Sequence, residues 1–208
     1  MSGQGLFISF EGIDGSGKST QARLLAGVLR ETGREVVLTR EPGGSTGAEE
    51  IRKLVLEGAG DRWSPETEVL LFTAARRDHL ERVIAPALGR GAVVISDRFA
   101  DSTRVYQGVG RADLRPLVDD LHRLVIGQEP DLTLLIDIDP ATGLARAGAR
   151  GGGEARFESF GLALQERLRA GFLALAGEVP ERVVVIDGAR EAQAVASEVA
   201  RVVAARLA

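Results

Sequence analysis

Residues 12–19 read Gly12-Ile13-Asp14-Gly15-Ser16-Gly17-Lys18-Ser19, a match to G-x-x-x-x-G-K-[ST]. The apolar run LFISF (6–10) precedes it, and TQARLLAGVLRETG (20–33), with helical period, follows it. Strand, glycine-rich loop and helix in that order make a phosphate-binding loop rather than a chance cluster of glycines. The glycines let the backbone curl so that N–H groups point inward at phosphate oxygens, and the helix beginning near Lys18 adds its positive end. Lys18 can reach β- and γ-phosphates, and the Ser19 hydroxyl can ligate Mg²⁺. ATPases, GTPases, kinases and motor proteins all use such a loop, so it defines a ligand class and not a reaction.

Four further apolar, β-branched runs follow: EVVLT (35–39), AVVIS (92–96), LTLLID (132–137) and RVVVID (182–187). None alternates, which suits strands of a parallel sheet buried on both faces. Helical stretches lie between them. In the first, Leu24, Leu25, Val28 and Leu29 share a face and Gly33 is a stop signal. PETEVLLFTAARRDHLERVIAPALGRG (65–91) starts with a proline suited to the first helical turn, and SEVARVVAARLA (197–208) closes the chain. This alternation predicts an α/β fold, a five-stranded parallel sheet flanked by helices in three layers, with ligands at the carboxyl ends of the strands. The 208 residues suit one domain (1–208). GARGGGEARFESFG (148–161) reads as a mobile loop within it, because of its three consecutive glycines.

Composition excludes several classes. A net charge of −4 argues against a general nucleic-acid binder. No apolar run approaches the length needed to cross a bilayer, the N-terminus lacks the pattern of a signal peptide, and cysteine is absent. The expectation is a cytoplasmic protein without disulfides or thiolate metal sites.

Charged clusters stand where a doubly wound sheet keeps its crevice: TREPGGS (39–45) after the second strand and SDRFADSTRVYQG (96–108) after the third. Arg40 and Arg98 could fork onto a second phosphate group. Asp97 ends an apolar strand, as a carboxylate in the Mg²⁺–water shell of a phosphate-loop enzyme does. The competing reading of each is a surface ion pair such as Arg40–Glu41. Phe72 and Arg76 are four apart and share a helix face. A phenylalanine so placed is ordinarily core, although with aromatics at 4% one beside an arginine hints at base stacking. Tyr106 is the only tyrosine. His79 and His122 lie on helical stretches without evident partners and read as non-catalytic.

FEGIDGSGKST, TREPGG, LLFTAARR, SDRFADSTRVYQG and PDLTLLIDIDP, in this order and spacing, resemble the thymidylate kinases over nearly the whole chain. The resemblance implies a nucleoside monophosphate kinase-like fold and transfer of a phosphoryl group from ATP, with Mg²⁺, to dTMP, giving dTDP for dTTP synthesis. It implies that residues 12–20 hold ATP, from Gly12 through Ile13, Asp14, Gly15, Ser16, Gly17, Lys18 and Ser19 to Thr20, with Arg146 against the adenine. Asp14 would also hold the sugar 3′-hydroxyl, and Arg98, with Arg40 nearby, the acceptor phosphate. Asp97 and Glu41 would organise Mg²⁺, its waters and the phosphates, with Ser19 and Asp97 as the metal-side groups. Phe72 would stack on thymine and Arg76 donate to a base carbonyl. Ser102, Thr103 and Gln107 would complete the dTMP site, with Tyr106 below the sugar. A homodimer is implied as well.

Some relatives carry an arginine within the phosphate loop, where this chain has Gly15. The other family pattern places arginines in a lid, and RAGARGGGEAR (146–156) fits it, with Arg150 and Arg156 as the candidates to close on the phosphates. Ala155 stands where many relatives have aspartate, and the lid is slightly lengthened. A kinase for another small acceptor, with Asp97 as a general base, is an alternative. A phosphate-loop switch is another, and the absence of an N-K-x-D motif speaks against it.

Overall fold

The structure, a computed structural model, describes residues 5–59, 61–111, 113–150 and 161–207. Five parallel strands form one sheet in the order β2-β3-β1-β4-β5: β1 (Leu6–Glu11), β2 (Val36–Arg40), β3 (Val93–Asp97), β4 (Leu132–Asp137) and β5 (Val183–Asp187). The predicted strands are all present, shifted by at most one residue at an end. The inner strands β1, β3 and β4 are buried almost throughout, whereas the edge strands β2 and β5 are only partly covered. Strand order reverses beside β1, and a crevice opens beyond its carboxyl end at such a switch point. The register brings Phe10, Arg40 and Asp97 level there.

Helix α1 (Lys18–Glu31) follows the loop directly. It buries Ala22, Leu25, Ala26 and Leu29 on the sheet together with Val195, Val199 and Val203 of the last helix, α9 (Ala192–Leu207). The buried face is therefore rotated from the predicted one: Val28 is 45% exposed and two alanines take its place, letting the helix sit close to the strands. Gly33, at φ 80°, ends the helix by turning its N–H back to Arg30 O.

Helices α2 (Thr46–Leu56), α3 (Pro65–His79), α4 (Ala85–Gly89), α5 (Ala100–Val105), α6 (Arg115–Leu121), α7 (Pro140–Arg150) and α8 (Gly161–Glu178) complete the chain. The predicted single helix over 65–91 is instead α3 and α4 joined by a π-turn, Leu80–Ile84. Pro86 supplies the reason: it lacks an N–H and would press on the carbonyl one turn earlier, which the wider turn relieves. Leu80, Ile84 and Ala87 pack on Phe7 and Val94 of the second sheet face, while Leu168 and Phe172 of α8 pack beside Leu135 and Val183. Among the described residues no helix is long and apolar enough to cross a membrane.

A buried charge network fastens α5 to the sheet. Asp101 accepts from Arg104 Nη1 at 2.8 Å, from Arg182 Nη1 at 2.6 Å and from Thr133 Oγ1 of β4 at 3.3 Å. Burial alone would raise its pKa, but the two guanidiniums hold the carboxyl below the usual range. Asp101→Ala would leave two arginines facing an empty site. The expected cost is about 3–5 kcal/mol in a urea unfolding titration. A loss below about 1 kcal/mol would show that the network is dispensable.

Candidate active site

Close backbone approaches shape the phosphate loop. A Cβ on Gly12, at φ 133°, would lie 2.5 Å from Ile136 O. One on Gly15, at φ 78°, would lie 2.0 Å from Gly143 O of α7. Position 15 thus has no room for any side chain, an arginine included, because α7 abuts the loop there. Asp139 holds the start of α7 by accepting from Thr142 N–H at 2.9 Å.

Lys18 is buried at the loop's centre, with Nζ donating to Ile13 O at 2.7 Å. Burial, reinforced by the nearby Arg98 charge, pushes its pKa down to about 8. Ser19 donates to the Asp97 carboxylate at the end of β3. These are two hard oxygen donors, and no cluster of three metal-ligating side chains exists among the described residues. That set fits Mg²⁺, which keeps several waters and takes its other oxygens from substrate phosphates.

On one side of the loop lies an open recess of about 1070 Å³, bounded by Gly15, Ser16, Thr20, Arg146 and the turn after β5. Arg146 Nη1 donates to Gly188 O at 3.4 Å and Gln21 Nε2 to Ala192 O at 3.0 Å. On the other side lies an open cleft of about 490 Å³. Nine of the ten residues expected to hold the acceptor line it: Asp14, Glu41, Phe72, Arg76, Arg98, Ser102, Thr103, Tyr106 and Gln107.

Arg98 joins the two sides. Its Nη1 donates to Gly12 O at 3.2 Å and to Ser102 Oγ at 3.0 Å, and its Nη2 pairs with Asp14 and meets the Tyr106 hydroxyl at 3.3 Å. Among the described residues it is the one non-glycine at positive φ, 73°. That backbone conformation is held by Arg98 N–H on Phe10 O at 2.9 Å and by Ser96 Oγ on Arg98 O at 2.7 Å. Tyr106 also donates to Asp14 at 3.2 Å and meets Phe172 edge-on at 6.3 Å. Its ring is therefore packed and its hydroxyl belongs to the site.

Some charged groups stand differently from expectation. Arg40 is the tenth residue: it lies on the rim, 56% exposed, with Nη2 at 3.1 Å from both Glu49 carboxylate oxygens, so its surface partner is Glu49 and not Glu41. The Glu41 backbone N–H donates to Asp97 O, and its carboxylate accepts from Arg76 Nε at 2.7 Å and meets His79 Nδ1 at 3.1 Å. His79 in turn contacts Thr39 Oγ1 at 2.7 Å, and His122 lies 3.0 Å from Glu129. Both histidines thus have partners, which corrects the reading that they have none. Arg150 ends α7, with its side chain outside the described residues, and Arg156 lies outside them altogether.

Sequence reasoning missed Glu11. Its buried carboxylate accepts from Phe99 N–H at 2.7 Å and Ser102 Oγ at 2.6 Å, capping the turn that carries Arg98. Burial, then Asp101, pushes its pKa up to about 7. It also missed Arg169, whose guanidinium grips Asp137 through two bonds of 2.8 Å. A charged residue closing an apolar strand was the available signal for Glu11, as it was for Asp97.

Because burial lowers the Lys18 pKa to about 8, ATP binding above that pH is expected to take up a proton. The ammonium form is complete below the free-enzyme value and lost above it. Calorimetric affinity for ATP is expected to change little between pH 7 and 7.5, where the ATP phosphates are largely ionised, then to fall by up to about tenfold per pH unit above 8. An affinity unchanged between pH 7 and 9.5 would contradict this.

The thymidylate kinase family model matches residues 10–199. The thymidylate kinase of Ruegeria pomeroyi is 69% identical, covering 100% of this chain and 98% of that one. That of Caulobacter vibrioides is 58% identical, covering 98% of each. The crystal structure of thymidylate kinase from Ehrlichia chaffeensis superposes with a TM-score of 0.77 at 39% identity, covering 96% of this chain and 98% of that one.

Proposed function

The chain belongs to the thymidylate kinase family, and on that premise we propose that it transfers the γ-phosphoryl group of ATP to dTMP, forming dTDP for dTTP synthesis. The observation that carries this reading is the position of Arg98. One guanidinium touches Gly12 and Asp14 of the phosphate loop and Ser102 and Tyr106 of the cleft wall, so the donor and acceptor sites meet at it.

The acceptor phosphate has its second pKa near 6 and is largely ionised at neutral pH. A general base is unnecessary, and the protein's task is alignment and charge neutralisation in one in-line step. In this reading the loop N–H groups and Lys18 hold the ATP phosphates, Arg146 covers the adenine, and Arg98 holds the acceptor phosphate in line. Asp14 takes the sugar 3′-hydroxyl, Tyr106 closes the space beneath the sugar, and Phe72 stacks on the base. Ser19 and Asp97 would hold Mg²⁺, which would supply neutralisation of the negative charge on the phosphates. The whole chain acts as one domain whose lid, about 148–161, brings Arg150 and Arg156 to the transferring group. A cytoplasmic homodimer is part of the same proposal, with the face of α3 that exposes Leu70 as its contact. Sedimentation at micromolar protein should give twice the chain mass, and a monomer would remove that contact.

An acceptor panel tests the activity. With ATP and Mg²⁺, dTMP should give the highest kcat/KM among the common monophosphates, and preference for another acceptor would overturn the assignment. Lys18→Ala should abolish turnover. Arg98→Ala should lower kcat/KM for dTMP by at least about a hundredfold, since a desolvated charge-assisted contact to phosphate is lost. Arg150→Ala or Arg156→Ala should lower kcat far more than dTMP affinity, and wild-type rates in both would remove the lid from the mechanism.

A further inference from the structure

Among the described residues, two polar atoms on the lining of the acceptor cleft have no protein partner. Arg76 is 4% exposed and lines the cleft. Its Nε is held by Glu41, and its Nη2 donates to Thr103 Oγ1 at 2.9 Å and Phe99 O at 3.3 Å. No described residue accepts from its Nη1. Gln107, 1% exposed, lines the same cleft and donates from Nε2 to Glu68 Oε2 at 3.2 Å. No described residue donates to its Oε1. The cleft therefore offers one fixed donor and one fixed acceptor, beside the apolar surfaces of Phe72 and Leu56.

Glu68 decides which end of the Gln107 amide is committed. It lies on α3, fully buried and outside the cleft lining. A carboxylate accepts and does not donate, so the flipped amide would set Oε1 against Oε2, two buried acceptors in contact. We propose that Glu68 is a positioning residue for acceptor specificity. By holding Gln107 Nε2 it keeps Oε1 toward the cleft, so that the pair Arg76 Nη1 and Gln107 Oε1 reads a ring carbonyl beside a ring N–H. This rests on the kinase reading above. Thymine and uracil present that imide edge. Cytosine presents an amino group and a bare ring nitrogen, which would face donor with donor and acceptor with acceptor. A site built to hydrogen-bond one pattern rejects the inverted one strongly, because buried polar groups are left unpaired.

The test compares wild-type enzyme with Glu68→Gln, measuring kcat and KM for dTMP, dUMP and dCMP. An amide at 68 can accept or donate, so Gln107 becomes free to turn. The expected result is a fall of at least about tenfold in the dTMP/dCMP ratio of kcat/KM, carried by KM. The dTMP/dUMP ratio should stay within about twofold, because both bases share the imide edge. An unchanged dTMP/dCMP ratio, or a joint collapse of both ratios, would overturn the proposal. If Glu68→Gln does not fold, Gln107→Leu decides: it should lose the same dTMP/dCMP discrimination, and its retention overturns the proposal. A wild-type enzyme without preference for dTMP removes the kinase assignment itself, a result distinct from a Glu68→Gln enzyme that keeps wild-type discrimination.

Discussion

The contact on which the site depends is the ion pair of Arg98 with Asp14. The arginine comes from the turn after β3 and the aspartate from the phosphate loop after β1, two segments adjacent only because these strands pair in parallel. Both side chains are largely buried, where an ion pair is worth having only if its remaining hydrogen-bonding groups are also satisfied. The guanidinium meets this condition through Gly12 O, Ser102 Oγ and the Tyr106 hydroxyl. The same contacts give a long, flexible side chain a single direction before any ligand arrives, and such preorganisation is the main protein contribution to phosphoryl transfer.

Behind that pair stands a second layer of buried charge. Glu11 caps the turn that bears Arg98, and Asp101 pins α5 through Arg182 and Thr133. Their neighbouring carboxyls are pushed in opposite directions: Asp101 is held low by two arginines, while Glu11, buried and facing Asp101, is raised to about 7. Charges so deep do little for stability compared with an apolar core of the same volume. Here their geometric effect is clear: α5 cannot shift on the sheet without breaking several bonds at once, so the residues it carries, Ser102 and Thr103, keep their places in the cleft. A comparable restraint acts on the other side of the loop, where Gly15 and Gly143 meet backbone to backbone and couple the start of α7 to the phosphate cradle.

Much of this was legible in the residues. The loop spacing, the five apolar runs and the charged groups that end them follow from local chemistry, and each strand lies within one residue of its predicted end. Less legible were the places where a side chain chooses between distant partners. Glu41 follows β2, and nothing local favours Arg76 and His79, 35 and 38 positions later, over the phosphates. Arg40 took Glu49 of α2 instead of its sequence neighbour. Val28 fits the apolar period of α1 as well as Ala22 and Ala26 do, but the close approach of helix to sheet favours the smaller residues.

Local sequence thus set the elements, the phosphate loop and the chemical types at the strand ends, because backbone propensity, turn glycines and burial period act over a few residues. The assembled sheet decided which of those groups face one another. Strand order and register place Asp14 against Arg98 and Ser19 against Asp97, and helix packing places Glu68 against Gln107, across separations of 84, 78 and 39 residues. Periodicity carries no information at that range, and low dielectric makes such pairings selective only once the core has closed around them.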